Sequence, residues 1–282
     1  MKNIIKFFGL LGLIGFSFFY TDKVINIMVE QDPIMVKINQ KKDDYKILPI
    51  NATINNDTII PGLYGKRVLE KESYNNMKNV GLYLDNYFIY EDIIPDISLK
   101  NNYDKYIISG NKSIKKISIL FIIYDISQLR KIEKYFQDTN IKLTYFIDEE
   151  ILNNNSNDIK KLSNREIYNY GSNGRYIEDK MIFYNNLITR IKKNDAIYCL
   201  VKDKNIDVLD LCAKNKLFTI LPNLIIKNNL YKETREKLEN GSIILIDLKN
   251  VNISSLNNTI SYINSKGLNI VYLKKLLEEN TE

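Results

Sequence analysis

The residues of this chain that could do chemistry are mostly carboxylates and phenols standing at the ends of apolar runs. Asp125 follows the run Ile117–Tyr124, Asp247 stands at the end of Ser242–Leu248, and Tyr170 closes a weaker run, Tyr168–Tyr170. Carboxylates at strand ends could hold a hard cation through oxygen ligands. Solvated or helix-capping carboxylates are the simpler reading of Asp125 and Asp247, and the preferred one. Asp148-Glu149-Glu150 likewise ends one run and starts a helix, where acids suit the helix dipole. The tyrosines could stack on sugar rings, but in a Tyr-rich chain they more often pack. The chain contains no histidine. That excludes a histidine general base, Ser-His and Cys-His nucleophile pairs and imidazole metal ligands. Cys199 and Cys212 are the only thiols. One lies in a strand pattern and the other on a helix, so buried free thiols are expected rather than a disulfide.

These residues need elements to hold them. From Lys116 onward apolar runs alternate with helical patterns. The strands expected are Ile117–Tyr124, Leu143–Ile147, Tyr168–Tyr170, Ala196–Val201, Leu217–Leu221, Ser242–Leu248 and Leu268–Leu273. Ser127 is the expected N-cap of the helix carrying Leu129, Ile132 and Phe136. This alternation implies an α/β fold with a parallel sheet buried on both faces, either a barrel or an open doubly wound sheet. In a barrel, Asp125, Tyr170 and Asp247 would all face the mouth at the C-terminal strand ends.

The first part of the chain reads differently. Lys2 and Lys6 precede an apolar run from Phe7 to Tyr20, the pattern of an export signal. Bulky residues near its end argue for an uncleaved signal-anchor over residues 1–22, with the rest of the chain outside the cell. A cleaved signal and a secreted chain is the alternative. Residues 23–112 read as a small β-rich domain: Val24–Val29 and Ile34–Ile38 as strands, a hairpin at Asn55-Asn56-Asp57, a helix over Lys71–Lys78, and a second hairpin at Asp85-Asn86. Gly110-Asn111-Lys112 is the expected linker to a third region, 113–282. The net charge of +6 suits anionic polymers or lipid headgroups. It is spread along the chain, and no basic stripe points to nucleic acid.

The third region resembles the polysaccharide deacetylase family, carbohydrate esterase family 4, whose fold is a distorted (β/α)7 barrel. Glu239-Asn240-Gly241-Ser242-Ile243-Ile244-Leu245-Ile246 is similar to the family's "lkpGsIiLlHD". Lys266–Leu277 is similar to "kGyrfvtlsell", and Ile141–Ile147 to "vkATfFv". The resemblance implies an Asp-His-His metal site, an aspartate base and a histidine acid. The family's "TFDDG" aligns with Leu120–Tyr124, so both aspartates are replaced, by Ile122 and Ile123. Its "NHSxxH" aligns with Asn169–Gly174, so the histidine ligands become Tyr170 and Gly174. Its late histidine falls at Asp247, and its arginine motif, near Cys199–Asp203, is not reproduced.

The resemblance therefore implies a deacetylase-like protein without catalysis, with no metal and no cofactor. Such a protein would bind or scaffold glycan at the cell envelope, with cell-wall polysaccharide or peptidoglycan as partner and membrane attachment through residues 4–20. The alternative is an active carbohydrate deacetylase, or other hydrolase of envelope polysaccharide, with a site rebuilt around Asp125, Tyr170 and Asp247.

Overall fold

The computed structural model describes residues 2–137, 139–162, 164–193, 195–249 and 253–280. In chain order the elements begin with helices α1 (Lys2–Gln31) and α2 (Pro33–Lys41), strands β1 (Thr53–Asn55), β2 (Thr58–Ile60) and β3 (Gly65–Val68), helix α3 (Glu70–Lys78), and strands β4 (Tyr90–Ile93) and β5 (Tyr106–Ile107). The alternating part follows: β6 (Lys116–Ile123), α4 (Ile126–Tyr135), β7 (Thr144–Ile147), α5 (Glu149–Asn154), α6 (Ser156–Lys160), β8 (Glu166–Asn169) and α7 (Glu178–Lys192). It continues with β9 (Tyr198–Leu200), α8 (Ile206–Lys214), β10 (Phe218–Ile220), β11 (Leu224–Ile226), α9 (Leu230–Lys237), β12 (Ile243–Asp247), α10 (Leu256–Ser265), β13 (Asn269–Ile270) and α11 (Leu273–Leu277). The chain divides into two compact units, one of residues 1–49 and 64–94, the other of residues 50–63 and 95–282.

The first unit is more helical than the sequence suggests. Val24–Val29 lies in α1 and Ile34–Ile38 in α2. Asp32-Pro33, read as a turn between strands, is a helix start instead. The Asp32 side chain accepts the Ile34 N–H at 2.9 Å, and Pro33 sits in the first turn, where its missing N–H is no loss. Ile34, Met35 and Ile38 then form the buried face of α2, packed with Val68, Tyr74, Met77 and Phe88. The hairpin expected at Asp85-Asn86 does not form. Asp85–Tyr87 is a 3-10 turn, and β4 pairs antiparallel with β3. Among the described residues no helix is long and apolar enough to cross a membrane.

The second unit is a mixed α/β fold around β6. Ile117 and Ile119–Ile123 are at most 1% exposed. Burying each such side chain is worth about 1.5–3 kcal/mol, so this strand alone anchors much of the core. It pairs in parallel with β12 on one side and β7 on the other, and the sheet extends to β11 and β8. A strand enclosed in this way needs apolar side chains on both faces, hence the unbroken run. β11 has no counterpart in the sequence reading, because three apolar residues following Pro222-Asn223 show no period. A second sheet runs β1-β2-β5-β10-β9. The expected hairpin at Asn56 is present there, with Asn56 at φ +54°.

Two expectations are corrected in this unit. Gly110-Asn111-Lys112 is a packed junction, where a linker was expected. Gly110 donates its N–H to the Gly241 carbonyl at 2.8 Å, and Asn111 donates to the Pro61 carbonyl at 2.9 Å. Cys199 and Cys212 form a disulfide with a Cα–Cα distance of 6.6 Å. Strand and helix were each read correctly. The loop between them folds α8 back over β9 and brings the two sulfurs together in an apolar cluster with Met181, Val208 and Leu209.

Two stability outcomes follow from this packing. Gly241 has φ +80°, and a Cβ there would stand 2.3 Å from the Gly110 carbonyl oxygen. Gly241→Ala should destabilise the second unit by about 2 kcal/mol or more, read as a lowered urea midpoint. Cys199→Ala/Cys212→Ala opens a loop of 13 residues and should cost about 3 kcal/mol in the same titration.

Candidate functional site

The candidate site forms where parallel strands end. Tyr124 follows β6, Tyr170 follows β8, Lys202 lies two residues past β9, and Asp247 is the last residue of β12. Strand ends of this kind project side chains from several elements into one place, which is why α/β folds put their chemistry there.

Asp247 is 3% exposed and stands at the centre. Its Oδ2 accepts from the Lys202 ammonium, in a short ion pair, and from the Tyr124 hydroxyl at 3.2 Å. Its Oδ1 accepts the Lys249 N–H at 3.1 Å. Lys202 also reaches the Tyr124 hydroxyl at 3.3 Å. The rings of Tyr124 and Tyr170 meet edge to face with centroids 5.9 Å apart. Above them the Lys249 ammonium lies 3.6 Å from the Tyr124 ring centroid and donates to Asn173 Oδ1 at 2.9 Å. Asn173 in turn gives its N–H to Asp148 Oδ2 at 2.7 Å. Gly174 packs on Tyr170 so closely that a Cβ would come within 3.0 Å of the phenol oxygen.

The floor beneath is apolar. Asp247 pairs in register with Ile122, Ile122 with Phe146, and Phe146 with Tyr168. Register partners share a face of the sheet, so Ile122 lies beside Asp247 while Ile123 belongs to the opposite face with Ile147. The Tyr168 ring then meets that of Tyr198 at 4.9 Å.

Burial pushes the Tyr124 hydroxyl far above the ordinary tyrosine range, and neighbouring Tyr170 and Asp247 push it further. Burial also raises Tyr170, partly offset by Lys202. Both phenols are therefore neutral near pH 7. Burial disfavours the Lys202 charge, yet Asp247 and Tyr170 together hold its pKa above the ordinary lysine value. A raised lysine pKa adds stability that is complete below the unfolded value and is lost as pH rises through the folded one. The pair is thus intact across the neutral range.

Asp125 does not join this cluster. It is the N-cap of α4, accepting the Gln128 N–H at 2.9 Å and the Ser127 hydroxyl. The cap expected at Ser127 therefore lies two residues earlier, at Asp125. Of the three residues singled out in the sequence, Tyr170 and Asp247 come together and Asp125 stands apart. Sequence reasoning passed over Tyr124 and met Lys202 only as a failed arginine motif. The signal available was their position just beyond an apolar run.

The donors here do not fit the family's metal. Ile122, Ile123 and Gly174 offer no ligand, Tyr170 is a protonated phenol, and Asp247 already binds an ammonium. Among the described residues no group of three or more His, Cys, Asp or Glu side chains is placed to hold a metal ion. Beside the cluster a cavity of about 310 Å³ is lined by Tyr170, Asn173, Leu200, Lys202 and Asn205. A second, of about 610 Å³, shares Asn173, Gly174 and Asn205 and extends to Arg175, Asp207 and Leu211.

Comparison with solved structures gives this arrangement a context. The wild-type BA3943 protein of Bacillus anthracis, a family 4 carbohydrate esterase (CE4) pseudoenzyme, aligns with a TM-score of 0.62 and 18% identity over 89% of this chain and 97% of that one. The second unit carries the carbohydrate esterase family 4 fold. A mutant of that pseudoenzyme with restored enzymatic activity aligns equally well, at a TM-score of 0.63 and 18% identity. PdaA of Bacillus subtilis, a family 4 carbohydrate esterase, aligns at 0.50 with 15% identity over 81% of this chain and 97% of its own. By sequence, the chain is 22% identical over 278 residues to the uncharacterized protein YlxY of Bacillus subtilis, covering 90% of this chain and 86% of that protein. No family model matches the sequence. The chain is deacetylase-like in fold.

Lys202→Met leaves Asp247 buried without its cation. We expect a loss of about 2 kcal/mol, below the roughly 3–5 typical of fully buried pairs because Lys202 is 34% exposed. Lys202→Met/Asp247→Leu should recover part of that loss in the same denaturant titration, since it removes the stranded charge as well. A double-variant loss equal to the sum of the Lys202→Met and Asp247→Leu losses would show that the pair is not coupled.

Proposed function

We propose that this protein is a catalytically inactive, polysaccharide-deacetylase-like component of the cell envelope, a degenerate (β/α)7 barrel that binds or scaffolds cell-wall glycan. The observation that carries the reading is the Lys202 ammonium bound to Asp247 among two neutral tyrosines. The family's chemistry calls for a metal-activated water and a free carboxylate base at this place. Here the carboxylate is neutralised, the base position is Ile122, and the remaining polar atoms bond to one another. A rebuilt hydrolase would need Asp125, Tyr170 and Asp247 in one pocket, and Asp125 is engaged as a helix cap.

The groove along Asn173, Arg175, Asn205 and Asp207 supports a binding role, since amide, guanidinium and carboxylate groups match the hydroxyl and acetamido groups of a glycan. The Cys199–Cys212 disulfide supports an extracytoplasmic location, because such bonds persist in oxidising compartments. The exposed aromatic side chains Phe16, Phe18, Phe19 and Tyr20 support membrane attachment through residues 4–20.

Purified protein supplied with zinc, cobalt or nickel should release no acetate from N-acetylglucosamine oligomers or peptidoglycan. Ile122→Asp/Ile123→Asp should also stay inactive, because the ligand positions at Tyr170 and Gly174 remain empty of donors. Metal-dependent acetate release by the unmodified protein would overturn the reading. Sedimentation with purified peptidoglycan separates binding from scaffolding. Retention that Asn173→Ala/Asn205→Ala weakens supports a binding groove.

A further inference from the structure

A third polar cavity lies at the opposite ends of the strands, where α4 finishes and β8 begins. Its volume is about 470 Å³, and its lining includes Arg130, Glu133, Lys134, Thr139, Lys161 and Arg165. Four of those six side chains are cationic and one is anionic. The unusual member is Arg165, which is only 8% exposed. Its Nε donates to Glu133 Oε1 at 2.9 Å, and its Nη1 to the carbonyls of Asn164 and Ile141 at 3.0 and 3.3 Å. Tyr145, fully buried, gives its hydroxyl proton to the same Glu133 oxygen. The guanidinium is therefore held in one orientation before any ligand arrives, with Nε and Nη1 already bonded.

The other cations are available at the rim. Lys134 makes no ion pair among the described residues. Arg130 and Lys161 both lean on Asp158, at 3.0 and 3.8 Å, with their own side chains 69% and 78% exposed. Exposed pairs of this kind are weak and are readily exchanged for a better anion. Glu133 is not in competition for the ligand, because it is engaged by Arg165 and Tyr145.

We infer that this cavity binds the phosphate group of a phosphate ester, with Arg165 as the fixed donor and Arg130, Lys134 and Lys161 as the closing cations. The same chemistry could arrive on a soluble polyol phosphate or on a lipid headgroup.

Calorimetric titration of the full chain with glycerol 3-phosphate at low salt tests this directly. Saturable binding is expected, weakened about tenfold in Arg130→Gln/Lys134→Gln, which alters two exposed positions and leaves the buried Arg165–Glu133 pair intact. Lys232→Gln/Lys237→Gln on α9 removes the same charge elsewhere and should leave the affinity unchanged. Parallel titration with phosphatidylglycerol vesicles distinguishes the sources. Vesicle binding that is also weakened by Arg130→Gln/Lys134→Gln identifies a headgroup, and its absence identifies a soluble ester. No saturable binding, equal weakening in both double variants, or binding to vesicles without binding to glycerol 3-phosphate would each overturn the assignment.

Discussion

A carboxylate taken almost wholly out of water needs a cation, and Asp247 has Lys202. Left alone in that position, the charge would cost about 2 kcal/mol, a sizeable share of an ordinary domain's stability. The two residues come from β12 and the stretch after β9, strands that belong to different sheets. The ion pair therefore ties one sheet to the other at their C-terminal ends. Tyr124 bridges it from β6, and Lys249 covers it from beyond β12. The cluster thus serves the fold as well as occupying the site.

An ammonium resembles a metal ion here only in its sign. It carries one charge and donates through hydrogens, so it offers no open coordination position at which a water could bind and be activated. The floor below it is isoleucine, phenylalanine and tyrosine, which offer no proton acceptor. A family's architecture does not by itself carry its activity.

Some of this was plain in the sequence. The unbroken run of β6 required burial on both faces, the alternation after Lys116 required a parallel α/β arrangement, and the missing histidines ruled out imidazole ligands and bases. Local patterns also misled in ways that have physical causes. Asp-Pro marks a turn or a helix start with equal economy, and only the buried partners of Ile34 and Ile38 decide for the helix. Ser127 and Asp125 are both good capping residues, and the extended backbone at Asp125, with its carboxylate on the Gln128 N–H, makes it the cap.

What needed the tertiary structure is what depends on distance between residues far apart in the chain. Lys202 and Asp247 are 45 residues apart, and no local pattern links them. The Cys199–Cys212 bond depends on how the loop after β9 folds α8 back. The Arg165 cavity depends on the end of α4 meeting the start of β8. The sequence determined which residues were unable to hold a metal, since side-chain chemistry is local. The fold decided that Asp247 meets the Lys202 ammonium, since only packing brings together residues so distant in the chain.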